Sequence, residues 1–285
     1  MATNMQGQDN DRYHFGETSS NTVFHAWSSA GAAGGTSPQV VTEAQSAVLK
    51  RVYIRVFTYM GLGVLLSFLI GIVLSQTLFR SAMSASGNAA GLVSLRMFLI
   101  LAPIAQIALV LILSRMLYRM RNGAARICFF LYALSFGVTL SLYFSYYSLG
   151  SVIYAMLAAA LVFGGMAFWG SATKRDLTPL GVAGRMLLMG VLLLSLVNLV
   201  LYFVAPAFAD GLSMLVSYLV LAIFVGLTAY DMQKIKERAL RLSADAGNGE
   251  AVWVENLAIQ GALELYMDFI NLFIRILLIF GNRRR

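Results

Sequence analysis

Glu264, Asp268, Asn271 and Arg275 stand at spacings of four, three and four inside an otherwise apolar run, LAIQGALELYMDFINLFIRILLIFG, residues 257–281. On a helix these four side chains share one face. The run is long enough to cross a bilayer, and a charge at the bilayer centre costs roughly 2.5–3.5 kcal/mol on insertion scales. A polar stripe at that cost faces a protein interior or a water-filled path, not lipid. A second acid, Asp231, sits in GLTAYDMQKIK, near the end of the preceding apolar run. Asp268 lies about eleven residues into its own run, or ~16 Å at 1.5 Å per residue. Successive spans are antiparallel, so the two carboxylates can meet in one half of the membrane. Two close carboxylates in a low-dielectric site do not both ionise; they share a proton and titrate as a unit. That makes Asp231 and Asp268 a candidate proton sensor and candidate ligands for a hard cation, since Ca²⁺ takes oxygen ligands. Glu264, one turn from Asp268, adds repulsion that calls for a further proton or a nearby cation.

Each residue also has a plainer reading. Asp231 can be a helix-end acid paired with Lys234. Asp268 can belong to a buried salt bridge with Arg275 or with an arginine from another span. Asn198 and Gln106 read as interhelical hydrogen-bond donors. The aromatic run Tyr143, Phe144, Tyr146 and Tyr147 reads as an interfacial belt. Gly61, Gly63, Gly164, Gly165, Gly226 and Gly261 read as sites of close helix contact. The stretch 173–177 reads as a cytoplasmic anchor.

The elements that must position these groups are apolar runs at about 52–78, 97–118, 127–148, 151–170, 183–205, 213–235 and 257–280, each near the ~20 residues that cross a bilayer. The expected fold is an all-α membrane protein with seven transmembrane helices. Residues 1–46 are polar, with no apolar period, and resemble a flexible tail; residues 47–285 form the membrane domain. Thr178-Pro179 offers an N-cap and first-turn proline for the fifth span, and Pro103 falls inside the second. Cations cluster in alternate connections: Lys50, Arg51 and Arg55; Arg115, Arg119, Arg121 and Arg126; Lys174, Arg175 and Arg185; Lys234, Lys236, Arg238 and Arg241. The asymmetry places the N-terminus in the cytoplasm. Seven crossings then put the C-terminus outside, against the preference of Arg283, Arg284 and Arg285; the length of the seventh run favours a full crossing over a re-entrant one.

Composition narrows the function. Of 285 residues, 59% are hydrophobic and 12% charged, against about 25% charged in soluble domains, so the chain is a polytopic membrane protein whose first partner is the lipid bilayer. The net charge of +8 comes mainly from cations flanking apolar runs, which makes nucleic acid an unnecessary partner. The single cysteine, Cys128, rules out a disulfide framework or a cysteine-rich metal site within one chain. Both histidines, His14 and His25, lie in the tail, which removes Ser-His and HExxH zinc chemistry from the membrane domain.

Three stretches in order, FGGMAFWGSATKRDLTPLG (163–181), VGLTAYDMQKIK (225–236) and LAIQGALELYMDFINLFIRIL (257–277), resemble the Bax inhibitor-1 family, in its bacterial form. The resemblance covers roughly residues 47–281. It implies a seven-helix fold with the last helix near the centre, a pH-sensitive Ca²⁺ leak with Ca²⁺ and protons as its ions and no other cofactor, and a role in stress tolerance or ion homeostasis. The family's acid pair falls on Asp231 and Asp268. Glu264 departs from the pattern, where a small polar or apolar residue is usual. An arginine that latches the gate must come from Arg115, Arg119 or Arg121; Asn271, Arg275 and Asn198 would support the path. A non-enzymatic leak in the cell (inner) membrane is therefore the leading expectation. A non-transporting regulator that binds other membrane proteins is the alternative. A diaspartyl intramembrane protease is weaker, because Asp268 sits in YMDF and lacks the flanking glycine of that class.

Overall fold

The computed structural model describes residues 43–85, 106, 122–245 and 250–282. Their regular elements are six helices: α1 (Glu43–Ala85), α2 (Asn122–Tyr146), α3 (Leu149–Ala172), α4 (Thr178–Val204), α5 (Pro206–Asp245) and α6 (Glu250–Phe280). Within α1 to α5, five segments are long and apolar enough to cross a membrane: Gln45–Thr77, Gly123–Tyr146, Leu149–Ala172, Thr178–Leu201 and Ala207–Ser243. The expected second span at 97–118 lies outside the described residues, apart from Gln106. So do Arg115, Arg119 and Arg121, and so does the tail up to residue 42.

The helices overrun the apolar runs. α1 opens at Glu43, inside the stretch read as tail. α5 begins at Pro206, where a loop over 205–213 was expected. Proline suits the first turn because that position needs no N–H, and the N–H groups of Phe208 and Ala209 close the turn on the Ala205 carbonyl at 3.1 and 3.2 Å. At its far end α5 continues ten residues past the expected boundary at 235, to Asp245. KERALRL is rich in good helix formers, buries Ala239, and sets Lys236 on the Ser171 carbonyl and Arg238 beside Glu264. α4 corrects the expected cap: Thr178 is its first residue and Leu177 the cap, with no side-chain cap bond. The Thr178 N–H is taken by the Asp176 carboxylate at 2.8 Å, so the acid upstream replaces the threonine hydroxyl.

The helix directions follow from their contacts. Gly63 of α1 faces Phe129 of α2, and Gly71 faces Phe144, so α1 and α2 run parallel. α6 runs with both: Glu255 meets Arg55 and Arg126 at one end, and Phe273 packs on Phe68 and Phe144 at the other. α5 runs against α6, with Ile235 over Gly261 and Lys234 at Glu264. α3 touches α6 through Phe163 on Phe269. α4 lies on α5, where Gly181 faces Tyr230 and Gly184 faces Leu227. From Trp253 to Ile279 no residue of α6 is exposed, whereas α4 presents Met186, Leu193, Leu196, Val200 and Phe203 outward.

Two expectations change here. Phe144 and Tyr147 are buried, and Tyr143 packs against the core; of the aromatic run only Tyr146 points out as an interfacial residue would. The reason is register: 143, 144 and 147 share the helix face that meets Phe68, Phe273 and Gly281. Among the glycines, Gly63 and Gly261 mark close contacts, but Gly61, Gly164 and Gly165 face open space. The tightest approach was not singled out by the sequence: a Cβ on Gly170 would run into the backbone carbonyl of Ala229.

Candidate functional site

α5 and α6 bring the acids together. Asp268, on α6, is only 4% exposed, beside Thr228 of α5 and within electrostatic reach of Asp231 and Glu264. Burial of this kind is what the i, i+4 spacing from Glu264 predicts for a helix covered on several sides. Asp231, on α5, lies 3.6 Å from Lys234 Nζ. The same ammonium donates to Glu264 Oε1 at 2.9 Å, and Arg238 approaches that oxygen at 3.5 Å. The Asp231–Lys234 pairing therefore exists, but Lys234 favours the acid on the facing helix.

The remaining predicted residues divide. Arg275 makes no salt bridge with Asp268 among the described residues; it lies near Tyr143 of α2. Asn271 donates to the Met267 carbonyl of its own helix at 2.8 Å. Asn198 donates to Ser213 on α5 at 3.0 Å, as an interhelical donor should. Gln106 accepts from Thr139 of α2 at 3.0 Å: interhelical as expected, but with the donor on the other side.

The face of α6 has a further property. Apart from Trp253 and Ile279 near its ends, the half-buried positions of α6 are Asn256, Gln260, Glu264, Met267, Asn271, Arg275 and Leu278. Their spacing of three or four traces one line from end to end, and five of the seven are polar. Five buried polar side-chain atoms of α6 have no protein partner: Trp253 Nε1, Asn256 Oδ1, Glu264 Oε2, Arg275 Nε and, one residue off the line, Asp268 Oδ2. Buried polar atoms in native proteins are almost always hydrogen-bonded, to protein or to ordered water. These atoms run along α6, with the acids toward the α5 connection and the arginine toward the other end.

Two polar clusters were missed by sequence reasoning. Glu255, 8% exposed at its side chain, is gripped by Arg55 at 2.6 Å and Arg126 at 3.0 Å, and Tyr59 donates its hydroxyl to the same carboxylate. This clasp ties α1, α2 and α6 at one end; no local spacing pairs groups 200 residues apart. At the opposite end the Ser148 N–H donates to the Asn282 carbonyl at 3.1 Å, and the Asn282 N–H donates to Ser151 Oγ at 2.9 Å. The second cluster surrounds Gln233. Its amide accepts from the Leu177 N–H at 2.8 Å and donates to the Arg175 carbonyl at 2.7 Å, while Lys236 donates to the Ser171 carbonyl at 2.6 Å. The 173–177 stretch is thus bolted to α5 two residues beyond Asp231. The signal was present in the AYDMQKIK stretch, as a glutamine two residues after Asp231.

Five helical segments of spanning length and apolar composition define a multi-pass helical membrane protein. Residues 49–285 match the family described as inhibitor of apoptosis-promoting Bax1. The chain is similar to the inner membrane protein YbhL of Escherichia coli K12, 42% identical over 190 residues, 66% of this chain and 76% of that protein. An uncharacterized protein of Borreliella burgdorferi is 34% identical over 244 residues, covering 85% of this chain and 97% of its own length. RP147 of Rickettsia prowazekii, also uncharacterized, is 34% identical over 236 residues, 83% and 91% of the two chains. The chain belongs to the Bax inhibitor-1 family.

Proposed function

We propose that this protein is a pH-sensitive Ca²⁺ leak of the inner membrane, controlled by the Asp231–Asp268 pair and serving ion homeostasis or stress tolerance. The observation that carries the reading is the line of unpartnered buried polar atoms along α6, which passes the acid cluster. In a non-transporting regulator the stripe would be a structural network with its partners satisfied inside the protein. A diaspartyl protease needs two aspartates poised for one water, whereas here a lysine stands among three acids.

The family's seven helices and central last helix fit the directions of the described ones. α1 and α2 are parallel, which suits the family's count of one further span between them. α6 is tied at one end to the starts of α1 and α2 and at the other to the α2–α3 turn, which supports a full crossing. Ca²⁺ takes six to eight oxygen ligands, and the described residues hold no group of three or more acidic, histidine or cysteine side chains arranged for a metal. Asp231 and Asp268 are accordingly read as a position that Ca²⁺ passes on its way along α6.

The test is Ca²⁺ flux against pH for purified protein in liposomes. Asp231→Asn and Asp268→Asn should each flatten the pH dependence, and the double change should add little, because either one breaks the shared unit. A wild-type pH profile in Asp268→Asn returns that residue to a structural role.

A further inference from the structure

The acid cluster contains a cation of its own. Lys234 Nζ stands between Glu264 Oε1, at 2.9 Å, and Asp231 Oδ1, at 3.6 Å. Its side chain is 23% exposed, against 16% for Asp231 and 21% for Glu264, while Asp268 is buried with Oδ2 unpartnered. The groups that face it are Asp231 and Arg238 from α5, Glu264 and Asp268 from α6, and the Tyr230 ring at 5.9 Å. Arg185 of α4 covers that ring at 5.7 Å, so a second cation backs the first. Glu264 alone does not need Lys234, because Arg238 also reaches it at 3.5 Å.

We infer that Lys234 is a tethered cation that guards the acid pair, with Glu264 as its docking position, and that it determines which ions the pair admits. A divalent cation approaching Asp231 and Asp268 meets the ammonium first and has to displace it. Glu264 is the group that can hold the displaced ammonium, since it already makes the shorter contact. This explains an extra acid in the stripe: it keeps the lysine off Asp231 when the path is in use. The inference rests on the ion-path reading but concerns a site that direct cation binding can probe without transport.

Opposite signs from two neighbouring substitutions make the test. Lys234→Met removes the guard and should tighten binding of Ca²⁺, or of Tb³⁺ read by luminescence, to detergent-purified protein by roughly tenfold, as expected for one charge at this range. Lys234→Arg keeps the charge and should bind as wild type. Glu264→Gln strands the ammonium on Asp231 and should weaken binding several-fold. In liposomes the midpoint of the flux profile should move to higher pH in Lys234→Met, because an ammonium favours the ionised carboxylates and its loss makes them easier to protonate. Unchanged or weaker binding in Lys234→Met, or tighter binding in Glu264→Gln, overturns the inference. If Lys234→Met does not fold, Glu264→Gln and Lys234→Arg decide it by the same binding measurement. Wild-type liposomes without flux at any pH would defeat the leak while the binding comparison still judges the guard.

Discussion

Glu255 and Asp268 are both acids of α6 with little exposure, yet their surroundings oppose each other. Glu255 has two guanidinium groups and a phenol; Asp268 has two other carboxylates and an unpartnered oxygen. One acid is paired into a clasp that holds three helices; the other stands among like charges. Glu255→Gln would leave Arg55 and Arg126 without their shared counter-charge. Both arginines are nearly half exposed at 43% and 47% and can turn to water, so the loss should be about 1–2 kcal/mol, below the 3–5 of a fully buried broken pair. Thermal unfolding in detergent measures it, and an unshifted Tm would dissolve the clasp. The acids at 231, 264 and 268 were legible in the sequence because helical periodicity is local. Lys234 was legible only as a neighbour of Asp231 at i, i+3, since its stronger partner lies on another helix. Glu255 was not legible at all: its ligands are a bundle-length away in sequence, and it stands outside the apolar stretch that drew attention to α6.

The rough position of each described helix follows from hydropathy; its ends do not. An apolar run measures the membrane, while a helix ends where its hydrogen bonds do, which is why α5 continues to Asp245 and begins at Pro206. The start of α4 shows the finer control. Hydrogen bonds from Thr178, hydroxyl first and then N–H, hold the exposed Asp176 carboxyl below its ordinary value. With the value lowered in the folded protein, this contribution is intact above the ordinary range near 3.9 and is lost as pH falls through the lowered one. Asp176→Ala should therefore speed amide exchange at Thr178 relative to wild type at neutral pH, and the gap should close in strong acid. A gap that persists there would assign the effect to something other than charge. Contact between elements is harder to read from sequence, because a glycine reports no direction. Gly170→Ala would press a methyl into the Ala229 carbonyl and should cost about 1–3 kcal/mol by overpacking. Gly164→Ala faces open space and should be neutral or slightly stabilising, since alanine is the better helix former.

For the molecule as a whole, the two ties on α6 fix a sidedness that chemical labelling can read. With Cys128 first replaced by serine, a cysteine at Asn282 should react from the same side as one in the 146–150 turn, and from the side opposite one at Lys174. Reaction of Asn282→Cys from the Lys174 side would break the full crossing. This sidedness was only partly legible, because Arg283, Arg284 and Arg285 pull the charge rule the other way, while the Ser148–Asn282 hydrogen bond joins two chain segments that no local pattern connects.

The concealment of α6 has a bearing on how the protein is made. Every helix described as touching α6 precedes it in the chain, so its neighbours leave the ribosome first. The α6 segment comes after the helices it packs against. With Glu264, Asp268 and Arg275 in its middle, that segment is a poor passenger for the insertion machinery by itself. Its entry is best favoured when the earlier helices receive it, with Lys234 and Arg238 waiting for Glu264 and with Arg55 and Arg126 waiting for Glu255. The charges that serve the finished molecule would then also act during biogenesis, as a handhold for its latest arrival.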